Sequence, residues 1–302
     1  MNQNDKDKGA LKVTIMGLGL NGGGLASALY FASRGALVTV TDLRDETVLA
    51  PSIEALKGYP IRYVLGRHEL EDFSSADLVI KNPGVRPDNS YLAAAKKVDS
   101  DISIFLRQCP CPIIAVTGSK GKSSTASAIH HILQQAGRQS YLGGNITVSP
   151  LSFLPELGTD DIVVLELSSW QLGDLQDRSV LKPHCAVLTH IVPDHLDRYG
   201  TMERYLADKR IIYQHQDQSC WTICEDEHWG NSFAAETGGR VLQYGSQAPA
   251  TGAGAWLETD GSGLALLPDL KAEQTALTQT VLLPENLRVP GKHNRMNCLA
   301  AG

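Results

Sequence analysis

Residues 112–125, Pro-Ile-Ile-Ala-Val-Thr-Gly-Ser-Lys-Gly-Lys-Ser-Ser-Thr, run from an apolar stretch through a glycine turn into Lys-Ser. Such an arrangement cradles phosphate. Gly118 and Gly121 let backbone N–H groups converge on phosphate oxygens, and the start of the following helix adds positive potential. Lys122 supplies charge, and Ser123 offers a hydroxyl to Mg²⁺. The spacing is Gly-x-x-Gly-Lys-Ser, with Val116 where the common phosphate-loop pattern wants a glycine. An ordinary strand-to-helix turn with a glycine corner is the plain alternative. A buried strand over 112–117 and a helix opening at Lys122-Ser-Ser-Thr favour the cradle, and with it a nucleoside triphosphate.

Three further clusters could do chemistry. Gly17-Leu-Gly19-Leu-Asn-Gly22 opens a small-residue helical stretch, and Asp42 lies twenty residues beyond Gly22 at the end of the next apolar run. Glycines there permit a tight turn and close phosphate approach, and the acid can hold a ribose or polar head. Any diphosphate-bearing nucleotide suits that pattern, so an NAD-dependent oxidoreductase and a nucleotide-sugar binder both stay open. Glu166-Leu-Ser168-Ser169-Trp170-Gln171-Leu172 follows an apolar strand, which sets Glu166 at a carboxyl end where a carboxylate can hold Mg²⁺. A Ser-Ser helix cap beside a surface acid explains the same residues equally well. Pro193-Asp194-His195-Leu196-Asp197-Arg198 is dense in possible ligands, and a histidine between two aspartates is less often structural than one alone. Cys220, Cys224 and His228 invite a metal, but Ser219-Cys-Trp-Thr-Ile-Cys224 has strand composition that puts both thiols on one pleat face, and core packing is favoured over zinc.

These groups need strands whose carboxyl ends carry loops. Apolar strands over 11–16, 36–41, 62–65 and 77–81, with helical patterns over 22–34, 47–57 and 89–97, predict a doubly wound sheet. Cys109-Pro-Cys111-Pro then makes a stiff connector, so a first domain spans 1–108 and a second 109–302. The second restarts the alternation: a strand at 112–117, a helix at 121–136, strands at 161–167 and 184–189, and a helix at 201–215 with Tyr205, Ile212 and Tyr213 facing inward. After Gly238, short apolar runs between glycine and acidic turns predict a β-rich extension. Residues 294–301 begin to look helical, and a helix stopping at Gly302 would have little to pack on, so truncation before a further domain is expected. The 302 residues fit two domains, and the net charge of −6, with both signs interspersed, argues against nucleic-acid binding. No apolar run reaches the ~20 residues of a membrane helix, and six cysteines suit reduced thiols, which predicts a cytoplasmic protein working on small molecules.

Taken in order, residues 117–125, Gly144-Asn145, 166–172, 193–198, Tyr205-Leu-Ala-Asp-Lys209 and Gly291-Lys-His-Asn294-Arg-Met-Asn297 resemble the Mur ligase family. With the 17–22 loop and Asn82-Pro-Gly84 ahead of them and Ser-Ser-x-Gln-Leu in place, the chain looks most like the branch that adds D-glutamate to UDP-N-acetylmuramoyl-L-alanine. The likeness covers nearly the whole chain and thins between 225 and 284. It implies an α/β fold: a Rossmann-like, doubly wound UDP-binding domain, then a P-loop α/β ATPase domain with the β-rich extension and no third domain. It also implies a mechanism, in which ATP phosphorylates the terminal carboxylate, the amine attacks the acyl phosphate, and an amide forms as phosphate leaves. By the same resemblance Gly118, Ser119, Lys120, Gly121, Lys122, Ser123, Ser124, Asn294 and Asn297 would bind ATP. Ser123 and Glu166 would hold one Mg²⁺ and His195 would help hold a second. Gly17, Gly19, Leu20, Asn21, Asp42, Arg44, Asn82 and Gly84 would meet the UDP group, with Asn145, Ser168 and Gln171 at the muramoyl-alanine end. Lys209, followed by Arg210 on a helix, reads alone as a solvated face; the resemblance implies a carbamylated lysine that approaches the metal, which makes it catalytic with Lys122, Glu166 and His195.

The chain departs from the family pattern at three positions. His190 and Val192 stand where relatives often carry Asn and Thr, and Gly173 stands where an acid often follows Gln-Leu. Other readings survive beside the main one. These are another ligase of the family, adding L-alanine, a diamino acid or a dipeptide; a folylpolyglutamate synthase, which lacks the first domain; a non-catalytic UDP-sugar-binding fragment; and the oxidoreductase. A monomer is expected.

Overall fold

Alternating apolar strands and helices build one parallel and one mostly parallel sheet in the computed structural model, which describes residues 9–20, 22–146, 148–249, 252–268, 277–288 and 290–302. The chain divides into two units, the first taking residues 9–109 with 148–156 and Asp174–Asp177, and the second the remainder.

In the first unit β1 (Lys12–Met16), α1 (Gly23–Ala32), β2 (Leu37–Asp42), α2 (Glu46–Ala55), β3 (Ile61–Leu65), α3 (Leu70–Ser74), β4 (Leu78–Lys81), α4 (Ser90–Ala93), β5 (Val98–Asp99) and α5 (Asp101–Leu106) follow one another. The strands pair in parallel in the order β3-β2-β1-β4-β5. Central β1 is covered on both faces, so Val13, Ile15 and Met16 are all buried and the strand reads as a continuous apolar run. The helix expected over 89–97 is cut to four residues, because Ala94 and Ala95 already turn back on Tyr91 and Leu92 with tighter i→i+3 bonds.

The second unit contains β6 (Ile113–Thr117), α6 (Lys122–Gln135), β7 (Ser140–Gly144), β8 (Ile162–Glu166), α7 (Ser169–Gly173), β9 (Cys185–Leu188), α8 (Leu196–Tyr199), α9 (Met202–Arg210), β10 (Trp221–Glu225), α10 (His228–Glu236), β11 (Arg240–Gly245), β12 (Gly254–Leu257), β13 (Gly263–Pro268), β14 (Leu277–Leu283) and α11 (Lys292–Leu299). Its strand order is β14-β13-β12-β11-β10-β9-β6-β8-β7. Pairing is parallel up to β12 and antiparallel beyond, which is the predicted β-rich extension. Helix α9 starts with the Thr201 hydroxyl accepting from Arg204 N and ends five residues before the predicted limit. The chain keeps coiling through i→i+3 bonds from Ile212 and Tyr213, so Tyr205, Ile212 and Tyr213 are buried as expected.

One expectation fails. Helix α11 does find a surface to pack on, with Leu299 and Ala300 buried in a core shared with Val116, Ala126, Val164 and Leu283. The packing argument for a further domain therefore falls away. Cys220 and Cys224 are buried, the Cys224 thiol donating to Gly230 O at 3.3 Å.

Candidate functional site

The loop 118–121 leaves the carboxyl end of β6, a strand flanked by β8 and β9 at a change in strand order, which is where ligands collect in such sheets. Gly121 has φ 94°, and a Cβ on it would lie 2.2 Å from Asn297 Oδ1, so glycine alone lets the Asn297 amide from α11 cover the loop. Ser123 and Ser124 are exposed in the first turn of α6, whose leading N–H groups have no intrahelical acceptor. Lys122 is half-buried and its Nζ donates to Ser119 O at 3.1 Å. Burial lowers its pKa against the opposing pull of Glu166 and Asp194.

Ser119 faces the other way. Its hydroxyl donates to Val192 O at 2.8 Å and lies 2.9 Å from the Tyr205 hydroxyl, and its N–H donates to His190 O at 2.9 Å. Lys120 N reaches the same carbonyl at 3.2 Å, while its exposed ammonium pairs with Asp194 at 3.3 Å. These two residues brace the loop through their backbone N–H groups, both held by His190 O. Asn294 donates to Pro290 O at 2.8 Å on the outer face of α11. Beside the loop opens a cavity of about 600 Å³, lined by Lys120, Gly121, His190, Glu225, Tyr244 and Asn297 among others.

Glu166 ends β8 and is 1% exposed. Its Oε1 accepts from Asn145 Nδ2 at 2.9 Å, whereas Oε2 is buried with no protein partner. A buried anionic oxygen left unpaired costs kilocalories unless a cation completes it. Among the described residues no group of three or more His, Cys, Asp or Glu side chains forms a metal cage. One free carboxylate oxygen near a serine and a phosphate loop suits Mg²⁺, which takes one or two protein oxygens and draws the rest from phosphate and water.

Lys209 is 1% exposed, its Nζ donating to Gly118 O at 2.7 Å and lying 4.5 Å from the centre of the Tyr205 ring. Burial first, and then the charge of Lys122, bring its pKa down to about 7. The solvated-face reading of this lysine is thereby overturned; Arg210, its neighbour, is the residue that points outward to pair with Glu236. His195 has φ 53°, the one positive φ outside glycine among the described residues, a strain that tends to gather at functional positions. Its ring packs against Trp170, centroids 4.9 Å apart, and the Arg198 guanidinium lies 4.2 Å from the centre of the same indole. Ser168 and Gln171 hold each other: Gln171 Oε1 accepts from Ser168 N at 3.0 Å, and Ser168 Oγ accepts from Gln171 N at 3.2 Å.

The departure at Gly173 has a steric cause. A Cβ there would lie 2.4 Å from Asp208 Oδ2 on α9, so any side chain at 173 would have to displace the Asp208 carboxylate. Asp208 supplies the local carboxylate, accepting from the Tyr199 hydroxyl at 2.9 Å, and burial raises its pKa.

In the first unit the glycine loop follows β1. Asp42 is buried, its Oδ2 accepting from Gly19 N at 3.1 Å and its Oδ1 from Arg44 N at 2.9 Å, so this carboxylate shapes the loop itself. Asn82 packs against Gly17, and its Oδ1 accepts from Gly84 N at 3.0 Å. Gly17, Gly19, Asp42, Asn82 and Gly84 thus gather at the carboxyl ends of β1, β2 and β4. Leu20 and Arg44 are exposed, and Asn21 lies outside the described residues. Sequence reasoning placed Tyr205 inward without giving it a part in the site, and it missed the His190–Glu225 contact and the place of Asp208 beside Gly173. Tyr205 and Lys209, four apart on one helix face, carried a signal; contacts 35 residues apart, such as His190 with Glu225, carried none.

Residues 116–302 match the family described as Mur ligase middle domain, and residues 11–104 the family described as Mur ligase MurD-like, N-terminal domain. A UDP-N-acetylmuramoylalanine–D-glutamate ligase of Treponema pallidum is 45% identical over 93% of this chain and 57% of its own length. One of the same name from Acetivibrio thermocellus is 35% identical over 96% of this chain and 60% of its own. The chain thus spans about half the length of the curated relatives it matches. Among solved structures, the UDP-N-acetylmuramate:L-alanyl-gamma-D-glutamyl-meso-diaminopimelate ligase of Neisseria meningitides is 18% identical with a TM-score of 0.61, over 97% of this chain and 92% of that one. At that identity the likeness concerns the fold. Among the described residues no helix is long and apolar enough to cross a membrane.

Proposed function

This chain belongs to the Mur ligase family, and from that premise we propose that it carries the UDP- and ATP-binding parts of a ligase joining D-glutamate to UDP-N-acetylmuramoyl-L-alanine. The name shared by relatives up to 45% identical supports that substrate choice. The observation that carries the reading is a single constellation: Lys122, Glu166 with one unpartnered buried oxygen, and a buried Lys209 against Gly118, all around one phosphate loop.

The reaction is acyl activation followed by amide formation. ATP transfers its γ-phosphoryl group to the terminal carboxylate, the amine of D-glutamate attacks the acyl phosphate, and phosphate leaves. Gly121, Lys122, Ser123 and Ser124 bind the phosphates through helix N–H groups, the ammonium and hydroxyls. Asn297 covers the loop and Ser119 and Lys120 hold its shape, whereas Asn294, predicted to bind ATP, is turned to Pro290 O and steadies the start of α11. Ser123 and Glu166 are the residues that would hold one Mg²⁺, with His195 and Lys209 toward a second. When bound, Mg²⁺ neutralises the charge that builds on the transferring phosphoryl group.

Lys209 serves here as a carbamate, formed when its neutral amine adds CO₂. Its pKa of about 7 provides that amine near neutrality, and the product keeps an N–H that can still donate to Gly118 O. The fingerprint loop of the first unit, with Gly17, Gly19, Leu20, Asn21, Arg44, Asn82 and Gly84, takes the UDP group, and Asp42 holds the loop in shape. Asn145, Ser168 and Gln171 orient the muramoyl-alanine end. The protein works as a cytoplasmic monomer in peptidoglycan precursor synthesis. Phosphate release from ATP by the full-length protein, measured with UDP-N-acetylmuramoyl-L-alanine and a panel of amino acids, tests the reading. Strict dependence on D-glutamate is expected, and equal rates with any amine would refute it.

A further inference from the structure

His190 and Glu225 stand side by side on the rim of the nucleotide cavity, and neither belongs to the groups that meet phosphate or metal. Strand β9 runs beside β10 with Leu188 the register partner of Cys224, so Glu225, one residue past that pair, and His190, two past it, come off the same end of the sheet. His190 Nδ1 lies 2.8 Å from Glu225 Oε2. A carboxylate can only accept, so Nδ1 carries the proton and donates. The same residue's carbonyl oxygen takes two consecutive loop amides, Ser119 N at 2.9 Å and Lys120 N at 3.2 Å. Those two N–H groups are thereby turned from the cavity, which leaves the orphan amides at the start of α6 to face an anion.

Resting on the reading of this cavity as the nucleotide's, we propose that His190 and Glu225 form a positioning pair that fixes the phosphate loop and so sets nucleotide affinity. The imidazole–carboxylate bond holds residue 190 in the orientation that aims its carbonyl at the loop. Without the bond the carbonyl swings, the loop amides loosen, and the cradle must be ordered at each binding event. Neither side chain touches the reacting carboxylate or amine in this scheme, so the chemical step is left alone. The His190 side chain is 50% exposed and that of Glu225 18%, so replacing either one at the rim leaves the core intact.

The test is steady-state kinetics of the full-length protein with Mg·ATP varied, together with calorimetric titration of Mg·AMPPNP. His190→Ala and Glu225→Ala are each expected to raise KM and Kd for the nucleotide five- to tenfold with kcat within twofold. The double variant is expected to be no worse than the worse single one. Glu225→Gln is expected to stay within twofold of the parent, because its amide oxygen still accepts from Nδ1. Unchanged KM and Kd in both alanine variants would overturn the proposal, as would additive losses in the double variant or a fall in kcat at constant KM. Should His190→Ala lose its fold, the contrast between Glu225→Ala and Glu225→Gln carries the same comparison. Failure of the parent protein to bind Mg·AMPPNP at all would instead refute the cavity's assignment to a nucleotide.

Discussion

Burying Lys209 takes an ammonium out of water and offers it the Gly118 carbonyl at 2.7 Å and the face of Tyr205. These replace only part of the lost hydration, and Lys122 adds repulsion, so the charged form is disfavoured and the pKa falls from 10.5 to about 7. The neutral amine that CO₂ requires therefore appears as pH rises through about 7, where an exposed lysine would wait until about 10.5. With ¹³C-bicarbonate, one carbamate resonance is expected at pH 8, shrinking below pH 6.5 and absent from Lys209→Ala. That variant should lose turnover on the order of 10²–10³-fold, with partial rescue by acetate or formate. An undiminished rate in Lys209→Ala, or no resonance in the parent, would sink the assignment. The shift also bears on stability. The unfolded chain holds this proton up to its ordinary value, so the group makes the apo protein gain stability from about pH 7 to 10.5, with the cost of the buried charge present in full below pH 7. The spacing of Lys209 four residues after inward-facing Tyr205 was the one local hint of its burial; Asp208-Lys209-Arg210 has the composition of a surface, and the covering loop lies some ninety residues earlier.

Elements were legible where one face repeats and obscure where partners come from far away. Strands β1, β2, β6 and β8 stand within a residue or so of their predicted spans, since buried parallel strands are marked by unbroken apolar runs. Helix α5 was not foreseen: every residue in it is buried, including Asp101 and Ser103, so no amphipathic period exists to detect. Likewise β7, Ser-Tyr-Leu-Gly-Gly, is too poor in apolar residues and too rich in glycine to announce itself. The join between α7 and α9 makes a testable case of contact hidden from sequence. Gly173→Glu would bring a second carboxylate and new side-chain volume onto half-buried Asp208, a clash expected to cost about 1–3 kcal/mol. Asp208→Ala alone leaves the Tyr199 hydroxyl without its acceptor. The combination Gly173→Glu with Asp208→Ala should recover most of the melting temperature lost by Gly173→Glu. Additive losses would mean that the two positions do not compete for one place.

At the scale of the whole molecule, each unit repeats one design: a set of parallel strands with a glycine loop at a change in strand order, β1 between β2 and β4, and β6 between β8 and β9. That repetition was visible in sequence as a restart of the strand–helix alternation after the Cys-Pro-Cys-Pro connector, whereas the membership of 148–156 and Asp174–Asp177 in the first unit was not, since short segments without a period carry no sign of their partner. Two separate loops mean two separable ligand effects. A ligand at one hundred times its Kd stabilises the state that binds it by about 2.7 kcal/mol, and hydrogen exchange reports where that stabilisation falls. UDP is expected to slow amide exchange around Gly17, Gly19 and Asn82, which the structure already ties together through Asp42 and Gly84. Mg·AMPPNP is expected to slow exchange over 118–125 and in α11 around Asn297, which meets Gly121. NADH should slow neither. The oxidoreductase reading makes the opposite forecast for the first loop, because a nicotinamide dinucleotide would need those same glycine amides and would want a free acid at 42, whereas both Asp42 oxygens already accept from Gly19 and Arg44. Protection of 17–19 by NADH and not by UDP would therefore overturn the ligase assignment of that unit, while leaving the Mg·AMPPNP result to judge the other by itself.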